Sequence, residues 1–392
     1  MLNTPFSPWP SFTQEETDAA SAVLLSNKVN YWTGQESREF EKEFAVWSGC
    51  EYAIALANGT VAIDVALIAL GVGEGDDVIV TPRTFLASAS SIVSVGANPV
   101  FSDLDPDSAN ITPETIKRVL TPRTKAIICV HLAGWPCDMD PIMALADEHD
   151  LYVIEDCAQA HGAKYKGKPV GGIGHIAAWS FCQDKIMSTG GEGGMVTTNN
   201  REFWSKMWSY KDHGKSWEAV YERQHPPGFR WLHESFGTNW RMTEMQAAIG
   251  RIQLERMPAW HNRRMANAEA ILAVCSHFPA ALRAPEVPSD IEHAWYKCYV
   301  FVRPHGLKDG WNRDRIMEEV NALGVPCYSG SCSEVYLEKA FDNTEWRPKN
   351  RLPVAKELGE NSLMFLVHPT LTQLEIGKTC TAISDVMQKA AK

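Results

Sequence analysis

The chain has 392 residues, 45% of them hydrophobic and 22% charged, which is ordinary globular composition and excludes a disordered or fibrous protein. That length implies about two domains and excludes a single small module. A formal net charge of -11 argues against a general nucleic-acid binder, which needs a basic surface to displace counterions from phosphates, although one local site could still hold a nucleotide-sized anion.

The opening stretch MLNTPFSPWPSF has neither the charged n-region nor the apolar h-region of a secretory leader. No run of about 18 apolar residues follows it, so a cytoplasmic protein without a membrane partner is expected. Short apolar runs then alternate with amphipathic stretches, the pattern of βα units on a mostly parallel sheet. Strands are predicted at Tyr52 to Ala57, Asp77 to Thr81, Asn98 to Asp103, Lys125 to Leu132, Leu151 to Glu155, Ala177 to Phe181 and Gly194 to Thr198. Helices are predicted between most of them, at Val61 to Leu70, Ala87 to Val95, Pro113 to Val119 and Pro141 to His149.

Lys211 to Glu234 has no clear period and reads as an irregular loop. Thr243 to Cys275 reads as one long helix or two abutting ones. A strand (Ala294 to Arg303), a helix (Arg313 to Leu323) and a terminal helix (Gln373 to Ala390) then suggest a smaller α+β unit, giving domains of 1–250 and 251–392. The ten cysteines lie singly, without a Cys-x-x-Cys pair, so neither a disulfide framework nor a zinc knuckle is expected and no metal site is assigned. They read as buried free thiols.

Three groups fall at the carboxyl ends of predicted strands, where open α/β sheets place ligands. These are Glu155-Asp156, Ser180 and, in the turn that follows, Lys185. A carboxylate, a hydroxyl and a lysine converging there suit a pyridine ring bearing a phosphate and an aldehyde. Asp156 would sit beneath the pyridine nitrogen, and its plainer alternative is a helix N-cap. Lys185 would carry the aldehyde and move a proton, against the common fate of a lysine as an exposed loop residue.

Asn58-Gly59-Thr60, between a strand and a helix, could bring amides and a helix dipole to a phosphate, or be an ordinary capping turn. Phe85 could stack on a cofactor ring, although an aromatic at such a place more often serves the core. The run Gly190-Gly191-Glu192-Gly193-Gly194 lacks P-loop and dinucleotide-binding spacing and reads as a tight turn before a strand.

Taken in order, these segments resemble the DegT/DnrJ/EryC1/StrS family of sugar aminotransferases. The resemblance is carried by Asn58-Gly59-Thr60, by 75–82 (GDDVIVTP), 101–105 (FSDLD) and 121–127 (TPRTKAI), and most specifically by 154–163 (IEDCAQAHGA) and Ser180-Phe181 followed by Lys185. It runs from about Trp32 to His368-Pro369. It implies a fold-type I transferase dependent on pyridoxal 5'-phosphate, with a mostly parallel seven-stranded large domain, a small α+β C-terminal domain, and a homodimer that shares its active sites.

By position, the resemblance makes Lys185 the Schiff-base lysine, Asp156 the pyridine partner, Gln159 a neighbour of the phenolic oxygen and Phe85 the stacking aromatic. Gly59, Thr60 and Ser180 match the phosphate cradle, and Asn239 an asparagine lent by the other subunit. The implied reaction moves an amino group from glutamate to a nucleotide-linked keto-sugar, a 4-keto-6-deoxy form first, with a 3-keto-sugar or keto-inositol as rivals. Relatives with histidine in place of the lysine act as sugar dehydratases, so Lys185 favours transamination over a dehydratase or lyase, and over a cofactor-free binding protein. The stretch 327–334 (CYSGSCSE) departs from the family's tyrosine- and proline-rich substrate loop, and 30–34 (NYWTG) only approximates the segment that borders the sugar.

Overall fold

Val78 and Val80 enter one core while Ile79 enters another, the period-2 alternation required of a sheet covered on both faces. That sheet has seven strands: β1 (Tyr52–Leu56), β2 (Asp77–Val80), β3 (Asn98–Phe101), β4 (Thr124–Val130), β5 (Tyr152–Asp156), β6 (Ile176–Ser180) and β7 (Gly194–Thr198). The structure, a computed structural model, describes residues 6–224, 228 and 230–392. The strand order is β1-β7-β6-β5-β4-β2-β3, and only β7 runs against the rest, so the predicted seven-stranded, mostly parallel sheet is what forms.

Helices α1 (Gln14–Ser26) and α2 (Glu36–Ser48) precede the sheet, and α3 (Gly59–Ala69) and α4 (Ala87–Ser94) follow β1 and β2. Both α3 and α4 cover one face together with Trp208, while Phe40 and Phe44 of α2 pack with Ala53, Ala177 and Trp179 on the other. The stretch from Thr243 to Cys275 is one helix, α5 (Glu244–Cys275), opened by a Thr243–Gln246 capping box and continuous through Pro258. Its earlier residues Leu254 and Met257 join the large-sheet core, and its later residues Ala268, Ile271 and Cys275 join a second core.

That second core is built on a four-stranded sheet of β8 (Leu282–Arg283), β9 (Cys298–Val302), β10 (Cys327–Tyr328) and β11 (Ser362–Phe365), in the order β8-β9-β11-β10. Helices α6 (Arg313–Ala322) and α7 (Gln373–Ala390) pack on it. The stretch read as an irregular loop, Lys211 to Glu234, instead contains a short helix at Trp217–Tyr221 capped by the Ser216 hydroxyl. Residues 225–227 and 229 of that stretch lie outside the described residues. No helix among the described residues is long and apolar enough to cross a membrane. Six of the ten cysteines are buried and none is bonded to another among those described.

Candidate active site

The strand order places the carboxyl ends of β1, β2, β5 and β6 around one cavity of about 540 Å³. Its lining includes Gly59, Thr60, Phe85, Ser88, Asp156, Gln159, Ser180, Asp184 and Lys185. Seven of the eight residues singled out in the sequence therefore meet; the eighth, Asn239, is exposed and lies outside this lining.

At one end, Asn58 caps α3, its side chain accepting from the Val61 amide at 3.0 Å. A β-carbon on Gly59 would lie 2.6 Å from Ser180 Cβ, so only glycine lets the first turn of α3 close against the end of β6. Gly194 is held in the same way by the Asn58 carbonyl, which makes 190–194 the tight, packed turn expected of it. The result is a helix N-terminus, with its amides and dipole, beside the Thr60 and Ser180 hydroxyls, a suitable cradle for a phosphate.

Asp156 ends β5 and no helix follows it, which removes the N-cap reading. Its Oδ1 accepts from the Ala158 amide at 3.1 Å and its Oδ2 from the Ser88 hydroxyl at 2.8 Å, with Thr84 and Ser88 hydroxyls linked behind at 2.8 Å. Burial pushes its carboxyl above the usual range, against the hydrogen bonds from Ser88 and Ala158 and the charge of Lys185. A buried carboxylate left short of positive charge fits a protonated ring nitrogen. Gln159 Oε1 accepts from the Ala133 amide at 2.8 Å, so its amide N–H groups remain to face the cavity.

Phe85, matched to stacking by the resemblance with a core role as its alternative, is 72% exposed at the edge of the cavity, which removes the core alternative. An apolar ring left uncovered at the edge of a cavity fits a stacking surface for a planar ligand.

Lys185 lies in the turn after β6, its side chain 15% exposed and its Nζ 3.3 Å from Asp184 Oδ1. The Trp9 indole N–H donates to the Lys185 carbonyl at 2.7 Å, pinning the turn from the N-terminal segment. The Tyr296 hydroxyl donates to Asp184 Oδ2 from the segment just ahead of β9. Burial works against the Asp184 charge, but the charge of Lys185 and the Tyr296 hydroxyl outweigh it and hold this carboxyl below its usual range.

Sequence reasoning did not find Ser88, Thr84, Asp184 or Tyr296. A serine in the first turn of α4 was visible there, but its aim at Asp156 exists only after folding.

His131, Glu155 and Cys157 also cluster, with ligand-type atoms within 4.8 Å of one another. The lone pairs of His131 and Glu155 are already committed. His131 Nδ1 accepts from the Cys137 amide at 3.0 Å, so Nε2 carries the proton and donates to Glu155 at 3.0 Å. Glu155 also accepts from the amides of Gly171, Ile173 and Gly174. Such a satisfied pair holds strands together.

The family model described as the DegT/DnrJ/EryC1/StrS aminotransferase family matches residues 10–384. A GDP-perosamine synthase of Caulobacter vibrioides is 37% identical, over 89% of this chain and 89% of that protein. A dTDP-3-amino-3,4,6-trideoxy-alpha-D-glucose transaminase of Streptomyces venezuelae is 33% identical, over 94% of this chain and 92% of its own. Among solved structures, an aminotransferase from Psychrobacter cryohalolentis superposes with a TM-score of 0.97 at 68% identity, covering 98% of this chain and 99% of that one.

Proposed function

The chain belongs to the DegT/DnrJ/EryC1/StrS aminotransferase family and is a sugar aminotransferase, and from that premise we propose that it transfers an amino group from glutamate to a nucleotide-linked 4-keto-6-deoxy-sugar, using pyridoxal 5'-phosphate. The observation that carries this reading is the meeting of Lys185 and Asp156 in one cavity with Gly59, Thr60 and Ser180 at the start of α3 and the end of β6. When bound, pyridoxal phosphate supplies an aldehyde that carries the amino group and a ring that withdraws electrons from the reacting carbon.

The protein's own residues divide the remaining work. Amides at the start of α3, with Thr60 and Ser180, hold the phosphate. Asp156, fixed from two sides by Ser88 and Ala158, keeps a proton on the ring nitrogen. Gln159 turns its free amide N–H toward the phenolic oxygen, and Phe85 covers a ring face. Lys185 Nζ takes a proton from the amino-bearing carbon of the donor and returns one when the sugar is aminated. Asn239, outside this cavity, is assigned to the site of a second copy in a homodimer.

Both curated relatives above are named for nucleotide-linked amino sugars, which supports the acceptor class. The 4-keto-6-deoxy form is chosen as the family's most frequent acceptor. Incubation with glutamate and, separately, a 4-keto-6-deoxy-sugar nucleotide, a 3-keto-sugar nucleotide and a keto-inositol tests this, with 2-oxoglutarate and the aminated product measured. No turnover with any 4-keto-sugar overturns the acceptor, and release of water or ammonia without donor consumption overturns transamination.

A further inference from the structure

Behind Lys185 the protein gathers more cations than carboxylates. Tyr296 is the hub: Lys185 Nζ lies 5.3 Å from its ring centroid and Lys297 Nζ 4.8 Å from it. Arg264, 1% exposed, donates through Nη1 to the carbonyls of Trp295 and Tyr296 at 3.4 and 3.3 Å. Its Nε and Nη2 are buried without a partner, and its guanidinium lies 5.1 Å from the Trp9 ring.

Within this group Asp184 is the one carboxylate, and it is taken by Lys185 and Tyr296. Lys297 has no hydrogen bond or ion pair among the described residues, only the Tyr296 ring. Three cations thus stand against one anion in a partly desolvated place, an arrangement that is unfavourable unless opposite charge arrives.

Neighbouring groups register the excess. Burial, then the charges of Arg264 and Lys185, bring Lys297 down to about 8 despite Asp184. Burial alone brings Arg264 to about 9 against the pull of Tyr296. Burial, then Arg264 and Lys297, bring His368 to about 3, so this histidine adds no charge.

We propose that Lys297 is an anion-recognition group of the substrate site, whose ammonium, held on the Tyr296 ring and backed by Arg264, receives an anionic oxygen of a substrate. Two sources offer that chemistry: a carboxylate of the amino donor and a phosphate oxygen of the nucleotide-linked sugar. The inference rests on the functional reading above, which supplies both.

The charged and titratable groups facing Lys297 are Tyr296 on its own segment, Asp184 and Lys185 from the turn after β6, Arg264 from α5 and His368 ahead of α7. With Lys297 at about 8, anion affinity is full below that pH and falls as pH rises through it.

The test is calorimetric titration of the pyridoxal-phosphate-loaded protein with UDP, dTDP and GDP in one arm and the non-reacting dicarboxylate glutarate in the other. Wild type, Lys297→Gln and Lys297→Arg are compared, each checked for cofactor uptake and melting temperature. Lys297→Gln is expected to weaken one arm about 10- to 100-fold, as loss of a charge-assisted hydrogen bond does. Lys297→Arg is expected to recover most of that loss and to shift the affinity drop to higher pH. The weakened arm names the source.

Equal affinities in wild type and Lys297→Gln, or no measurable binding of either ligand class to wild type, overturn the inference. Should Lys297→Gln fail to fold, the wild-type affinity across pH 8 decides, a flat profile overturning it. A wild type that takes up no pyridoxal phosphate overturns the functional reading and this inference with it; normal uptake with unchanged affinity overturns the inference alone.

Discussion

Two charged clusters meet near the carboxyl ends of the same parallel strands, and they are built in opposite ways. His131 and Glu155 form a closed set, each lone pair matched by a ring N–H or a backbone amide. Lys185, Asp184, Tyr296, Lys297 and Arg264 form an open set, with buried donors unmatched on Arg264 and no partner among the described residues but an aromatic ring for Lys297. A satisfied network stabilises a fold; one left short of a charge is poised for a ligand. Both contain acid residues next to strands in the sequence, so only the hydrogen-bond accounting separates them.

The largest effect expected is in the open set. Lys185→Ala should lower turnover by about 10²- to 10⁴-fold, the range for loss of a positioned proton-transfer group, with little change in melting temperature. Steady-state assays beside thermal denaturation check this, and a loss of activity matched by a loss of fold would place Lys185 with the structural set instead.

Asp156→Asn sits between the two clusters. Removing its charge should cost about 10²- to 10³-fold in turnover, the scale of one lost electrostatic stabiliser, while Ser88 still finds an oxygen to bond. Single-turnover rates with glutamate measure it.

In the closed set the loss should be one of stability. Glu155→Ala leaves three amides and the His131 N–H unpaired and should cost about 3 to 5 kcal/mol by urea denaturation, as removing one partner of a buried pair does. The pH dependence has a definite sign. Burial raises the Glu155 carboxyl, but the hydrogen bond from His131 and the amides of Gly171 and Gly174 outweigh it and leave it lowered from 4.5. Its stabilisation is therefore present above 4.5 and is lost as pH falls below that value through the folded one, and Glu155→Ala should flatten that acid limb.

Phe85→Ala should have the smallest effect. An exposed ring contributes little to stability, within about 0.5 kcal/mol, but loss of stacking at about 0.5 to 1.5 kcal/mol should weaken cofactor affinity by about 2- to 13-fold. Equilibrium titration with pyridoxal phosphate reads this, and a larger loss of stability than of affinity would return Phe85 to the core.

The large sheet was legible because buried parallel strands are continuous apolar runs punctuated by turns: all seven predicted strands lie within about two residues of those observed. The cavity was legible for a related reason, since Gly59, Asp156, Ser180 and Lys185 each follow or end such a strand. Helix α1 was not read, although Thr13 and Glu16 form a capping box, because only Glu16 and Val23 are buried along it and no apolar stripe marks its face. The helix at 217–221 escaped for want of length. Residue type alone offered Phe85 a core role, because hydrophobicity predicts burial in protein and says nothing of burial under a ligand, while the resemblance assigned it to stacking. The approach of Tyr296 and Lys297 to Lys185 was beyond sequence reasoning, since they lie more than a hundred positions along the chain from it.

The central claim is that Lys185 carries the cofactor. It is tested most directly by loading the protein with pyridoxal phosphate, reducing with borohydride, digesting and locating the label by mass spectrometry, with and without prior glutamate. The account predicts a label on Lys185 that glutamate treatment abolishes. A label on another lysine, or a Lys185 label indifferent to glutamate, would contradict it.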